Sequence, residues 1–208
     1  MTHTHVRLWL AVILATLMLA PLFRDSKAME IYAWQEMQMT KEVFGDSVAQ
    51  SIGDKASAAY KLIPPLLLES AKVDAEGMKR TKKAVAGPGL DVTKAYNGYF
   101  DRLSHQLYVA SIRFFILIVW LFVLAPVFIA ALVDGFTQRA IKRVEFGAIR
   151  PAAFTVTSLI VVPLLFGPIL YLVIPVSISP LVTPMWALIT AIPLALMISN
   201  MQPMFGKN

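Results

Sequence analysis

The chain contains no cysteine, which excludes disulfide staples and thiolate metal ligands. Histidine is almost as scarce. His3 and His5 lie near the N-terminus and His105 on a predicted helix, too scattered to frame a metal site. Charge is thin, at 15% of residues, and the stretch from Pro151 to Gly206 has none at all. There is no G-x-S-x-G serine motif, no H-E-x-x-H zinc helix and no glycine-rich phosphate loop ending in Lys-Ser/Thr. No two acids share an apolar run as an aspartyl dyad requires. These absences argue against an enzyme, and neither cofactor nor metal is expected. Also missing are the Val/Ile/Thr alternation of strands, internal repeats and low-complexity tracts.

What the chain has in excess is apolar length. Hydrophobic residues make up 57% of the sequence and mean hydropathy is +0.65, against roughly 45–50% apolar in soluble domains. The excess is gathered into uncharged blocks, the pattern of membrane spans. The expected fold is therefore all-α: an integral membrane protein with four transmembrane helices and a helical extramembrane segment between spans 1 and 2. The net charge of +6 then reads as the positive-inside bias and attraction to anionic lipid headgroups, rather than as a nucleic-acid surface.

Residues 1–23 form the first span, with an uncharged run from Leu8 to Phe23. Sixteen helical residues cover ~24 Å, so snorkelling by Arg7 must close the gap to a hydrocarbon core of ~30 Å. A cleaved signal peptide would want small residues before the cut. Leu17-Met18-Leu19-Ala20-Pro21 offers bulky ones and a proline, so a retained span is expected. Residues 24–110 are the extramembrane part, with acids and bases nearly balanced. Lys27–Phe44 reads as a helix ended by Gly45. Asp46 or Ser47 caps a second, with Val48, Ile52, Ala56, Ala59 and Ile63 on one face, broken at Pro64-Pro65. Leu66–Ala84 reads as a third with a basic end (Lys79, Arg80, Lys82, Lys83), and Gly87-Pro88-Gly89 interrupts again.

Asp91 is a plausible N-cap for a long helix whose stripe is Val92, Tyr96, Tyr99, Leu103, Leu107 and Ala110. The stripe suits an intramolecular core or a homo-oligomer seam. This helix enters the second span at Arg113, runs uncharged from Phe114 to Val133 and leaves at Asp134-Gly135. A helix from Asp91 to Arg143 would be ~80 Å long. Residues 111–150 thus hold span 2 and a basic collar, Gln138, Arg139, Lys142, Arg143 and Arg150. Residues 151–208 hold spans 3 and 4, Ala153–Ile174 and Thr183–Phe205, around a turn at Val176–Pro180. Seven prolines in this hairpin free backbone carbonyls that must find partners inside the protein. The collar is short and abuts a span, so it sets orientation: both termini cytoplasmic, residues 24–110 and the last turn periplasmic, in a bacterial inner membrane.

The collar, Ala131-Leu132-Val133-Asp134-Gly135-Phe136-Thr137-Gln138-Arg139-Ala140-Ile141-Lys142-Arg143, resembles the V-D-G-h-x-Q-R-x-h-R-R signature (h apolar) of the integrating-conjugative-element membrane protein family, which also occurs on conjugative plasmids. Lys142 stands where arginine is commoner, which keeps the charge and loses the bidentate fork. Tyr108-Val109-Ala110-Ser111-Ile112-Arg113 is similar to the family's Y-V-A-x-x-R entry, and Ser199-Asn200-Met201-Gln202-Pro203-Met204-Phe205 to its terminal N-h-Q-x-x-F. The likeness covers about residues 90–206, with only a shared layout before that. It implies a multi-span inner-membrane protein of a conjugation apparatus. Such a protein would work beside the type IV coupling ATPase and other conjugation membrane proteins, without enzymatic activity. Asp134, Gly135, Gln138, Arg139, Lys142 and Arg143 are then the candidate partner or lipid-interface residues. Direct DNA contact is not expected. Two other readings stand beside this one, a small channel or transporter subunit and an entry-exclusion protein acting in the recipient.

Overall fold

The computed structural model describes residues 2–62, 88–144 and 150–201. The Pro64-Pro65 break, the expected helix Leu66–Ala84 and the segment from Gln202 onward lie outside them. Six helices make up the described residues, and no strand occurs among them: α1 Thr2–Phe23, α2 Ser26–Phe44, α3 Asp46–Leu62, α4 Pro88–Val144, α5 Pro151–Val173 and α6 Val182–Ser199. Four of them, α1, α4, α5 and α6, are long and apolar enough to cross a membrane. The all-α reading and the number of such helices hold.

The α2–α3 corner follows from one glycine. Gly45 has φ 79°, a left-handed conformation that L side chains avoid. Its N–H closes the last turn of α2 on the Lys41 carbonyl at 2.8 Å, and its own carbonyl accepts from Ala49 at 3.1 Å to open α3. Gly45 rather than Asp46 or Ser47 therefore stands at the cap, and Asp46 is already in the first turn. The inward face of α3 is Ala49, Ile52 and Ala56; Ile52 and Ala56 belong to the expected face, and in the first turn Ala49 is buried in place of Val48, which is exposed. At Gly53 a Cβ would come within 2.9 Å of the Met37 methyl, the flexible end of that side chain.

α4 is a single helix of 57 residues that continues through Pro126. It begins at Pro88 rather than at an Asp91 cap. Proline is well placed there, because its fixed φ suits the first turn and its missing N–H would have no helical partner. The expected breaker is thus the start of the helix. Of the expected stripe Leu103 is buried, while Val92 and Tyr96 are exposed; Thr93, Gln106, Val109, Ile112, Arg113 and Ile116 are buried beside it. Three of those six are polar, which is why apolar spacing alone caught only part of the face.

α5 and α6 lie within a residue or two of expectation at three of their four ends. The fourth is corrected. α6 stops at Ser199, where the Asn200 N–H bonds the Met197 carbonyl at 3.3 Å and the Met201 N–H bonds Ile198 at 3.1 Å, so it does not run on towards Phe205. The chain divides into two compact units, one of Ala11–Ile116 with Tyr171–Pro180, the other of Met1–Leu10, Leu117–Leu170 and Leu181–Asn208.

Candidate functional site: a buried arginine and the collar

In the unit containing α2 and α3, the middle of α2, the middle of α4 and the C-terminal end of α5 meet at one guanidinium. Arg113 is fully buried, as is Glu36 of α2. The pair is bidentate, Nε donating to Glu36 Oε1 at 2.8 Å and Nη2 to Oε2 at 3.0 Å. Nη1 donates to the carbonyls of Tyr171 at 2.6 Å and Ile174 at 2.8 Å, and Nη2 also to that of Val176. All five guanidinium N–H groups are thereby used, which only arginine's planar fork permits. The cation also sits over the rings of Tyr171 and Tyr32, 4.7 and 5.4 Å from their centroids.

The carbonyls that Arg113 takes are free for a reason written in the sequence. α5 ends at Val173, and the last carbonyls of a helix lack helical partners. Pro175 has no N–H, so nothing could continue the ladder onto Tyr171. Gln106 Nε2 takes the Val173 carbonyl at 2.7 Å and Tyr32 Oη that of Ile174 at 3.0 Å. The Ile178 N–H returns to Glu36 Oε2 at 3.3 Å. A cation at a helix C-terminus also suits the dipole. Burial holds the Tyr32 phenol above its ordinary pKa, against the opposing pull of Arg113, so it remains a donor. The turn after α5 is thus fastened to α2 and α4 by side chains, an arrangement that sequence reasoning missed. In the sequence Arg113 marks the edge of a span and the end of the Y-V-A-x-x-R likeness, with nothing to indicate Glu36 as its partner.

In the other unit the collar packs on α6. A Cβ on Gly135 would lie 2.9 Å from Ile198 Cβ and 3.0 Å from the Ala195 carbonyl, so glycine is needed for this approach. Lys142 Nζ donates to Ser199 Oγ at 3.2 Å and Asn200 Oδ1 at 3.1 Å. Asn200 Oδ1 also accepts the Arg150 N–H at 3.4 Å, and its Nδ2 donates to the Leu196 carbonyl at 2.9 Å. The collar and the end of α6, two of the three stretches that carry the family likeness, are thus joined through Asn200. Asp134 and Gln138 are exposed, Arg139 half-buried and Arg143 exposed. Arg139, Lys142 and Arg143 therefore do not form one solvated face. Asp134, Gln138 and Lys142 instead line a groove of about 550 Å³ against α6. Asp134, one helical step from Gln138, bonds neither it nor Arg139 among the described residues.

The same unit shows how a proline is accommodated. Pro168 cannot donate to the Leu164 carbonyl, and Trp186 of α6 supplies the missing N–H, Nε1 to O at 2.7 Å. Gly167 makes room, since a Cβ there would sit 3.0 Å from that nitrogen. No group of His, Cys, Asp and Glu able to hold a metal ion occurs among the described residues.

An all-helical chain with four membrane-length helices and interlocked helix ends is what the geometry defines. Its family is that of the DtrJ-like proteins, described as IncC plasmid conjugative DNA transfer protein DtrJ-like, whose model matches residues 23–206; the chain belongs to it. The match takes in α2 and α3, where only the layout had been legible. Neither a curated protein nor a solved structure matches the chain.

Proposed function

We propose that this protein is a non-enzymatic inner-membrane accessory subunit of type IV secretion-like conjugative DNA transfer, associating with the coupling ATPase. The observation that carries the reading is membership of a conjugative DNA transfer family over residues 23–206. The four apolar helices support a multi-pass membrane location. The proposed orientation keeps both termini in the cytoplasm and residues 24–110 in the periplasm. It requires α2 and the α5–α6 turn to share one side, which fits their meeting at Arg113. It requires the collar and the end of α6 to share one side as well, which fits the Lys142 and Arg150 bonds to Asn200. The groups that bind are helix faces and collar side chains, and no step of bond chemistry is assigned to them.

The test is transfer frequency from a donor carrying an in-frame deletion of the reading frame, with and without the gene supplied in trans. The expected result is a fall of at least tenfold in the donor, restored by complementation, and no change when the deletion is in the recipient. Unchanged donor transfer would overturn the proposal.

A further inference from the structure

The groove between α4 and α6 has two unlike walls. On α4, Asp134, Gln138 and Lys142 recur every four residues. On α6, Ala191, Ala195 and Ser199 do the same. The α4 wall is polar along that row, and the α6 wall is apolar, with Ile192 and Leu196 exposed beside the smaller Ala191, Ala195 and Ser199. The two ends of the polar wall differ. Lys142 is engaged by Ser199 and Asn200 of its own chain. Asp134 is exposed, and neither it nor Gln138 has a hydrogen bond or ion pair among the described residues. A carboxylate at the end of an apolar stretch is costly unless a cation or water meets it.

We infer that this groove seats a transmembrane helix of a partner protein, one carrying Lys or Arg at the cytoplasmic end of its span, with Asp134 as the recognising group. The inference rests on the orientation proposed above. Helices of the inner membrane carry Lys and Arg at that end, and one whose first cation stands level with Asp134, more than a turn nearer the apolar run than Arg139, is in register with it. Ile192 and Leu196, exposed on the α6 wall, offer a partner helix apolar contacts, with the half-buried Ala195 as the place of closest approach. A phospholipid fits less well. Asp134 lies on the apolar side of Lys142, where a lipid presents ester carbonyls and phosphate, all acceptors facing an acceptor. A second copy of the chain is out of register. In a parallel copy Arg139 and Arg143 lie five and nine residues beyond Asp134, roughly 8 and 14 Å further along the helix.

The test is in-cell photo-crosslinking of the full-length chain in transfer-proficient donors. The photoreactive residue replaces Ile192, an exposed residue on the groove wall, or Val123, exposed on α4 and absent from the groove. Ile192 is expected to give one discrete adduct, identified by peptide sequencing as a partner span with Lys or Arg at its cytoplasmic end, and Val123 is not. Asp134→Lys and the near-isosteric Asp134→Asn should each lower that adduct about tenfold at unchanged chain level, and Asp134→Glu should keep it. An adduct with lipid alone, one with a second copy, or one indifferent to Asp134→Lys and Asp134→Asn would overturn the inference. Because the readout is an adduct and not transfer, it stands or falls separately from the role in conjugation.

Discussion

At the scale of single residues, Arg113 shows what an isolated position in a sequence conceals. Its place was legible as the last charge before twenty uncharged residues, and it falls in the Y-V-A-x-x-R likeness. What it binds was not, because Glu36 is one of several acids on a polar helix and nothing in its spacing separates it from Glu30 or Glu42. The one available clue was Pro175, which guarantees an unpaired carbonyl nearby. Removing one partner of a buried pair leaves the other uncompensated, at about 3–5 kcal/mol. Arg113→Met is therefore expected to lower the melting temperature of the detergent-solubilised chain by many degrees. Glu36→Gln combined with Arg113→Met should be less damaging than the sum of the two, because neither then leaves a lone buried charge. Arg113→Lys should also destabilise, since a point charge cannot serve Glu36 and three carbonyls together. Additive losses would mean that the pair is not coupled.

Among elements, the helices were legible from uncharged length and breakers, and their faces only in part. The stripe on α4 was drawn through apolar residues, whereas the packed face includes Gln106 and Arg113 because those side chains serve carbonyls at the end of α5. On α3 the expected Ile52 and Ala56 do face inward, and only the first turn differs, with Ala49 buried rather than Val48. The need for proline-freed carbonyls to find partners was legible, but not the identity of a partner. Trp186 fills that role for Leu164, and Trp186→Phe should cost about 1–3 kcal/mol, the penalty of an unpaired buried carbonyl. Restoring a helical N–H with Pro168→Ala should recover part of that loss, read as the difference in unfolding midpoints of single and double variants. No recovery would show that the indole acts by packing on Phe128, 6.0 Å away between ring centroids, rather than by its hydrogen bond.

For the whole molecule, the collar carried the family likeness, and the family match extends that likeness to residue 23. Arg143, exposed, and Arg139, half-buried, are the collar cations proposed to meet the coupling ATPase. Arg139→Ala with Arg143→Ala is expected to reduce donor transfer at least tenfold at unchanged protein level; normal transfer would remove that role. The account as a whole depends on a four-pass orientation with α3 on one side and the collar on the other. The absence of native cysteine makes this directly measurable, because each engineered thiol is the sole one. Ser51→Cys on α3 and Arg143→Cys in the collar, both at exposed positions, would be treated with a membrane-impermeant maleimide in cells with a permeabilised outer membrane and an intact inner one. The account predicts rapid labelling at 51 and labelling at 143 only after the inner membrane is breached. Equal labelling at both positions, or the reverse order, would contradict it.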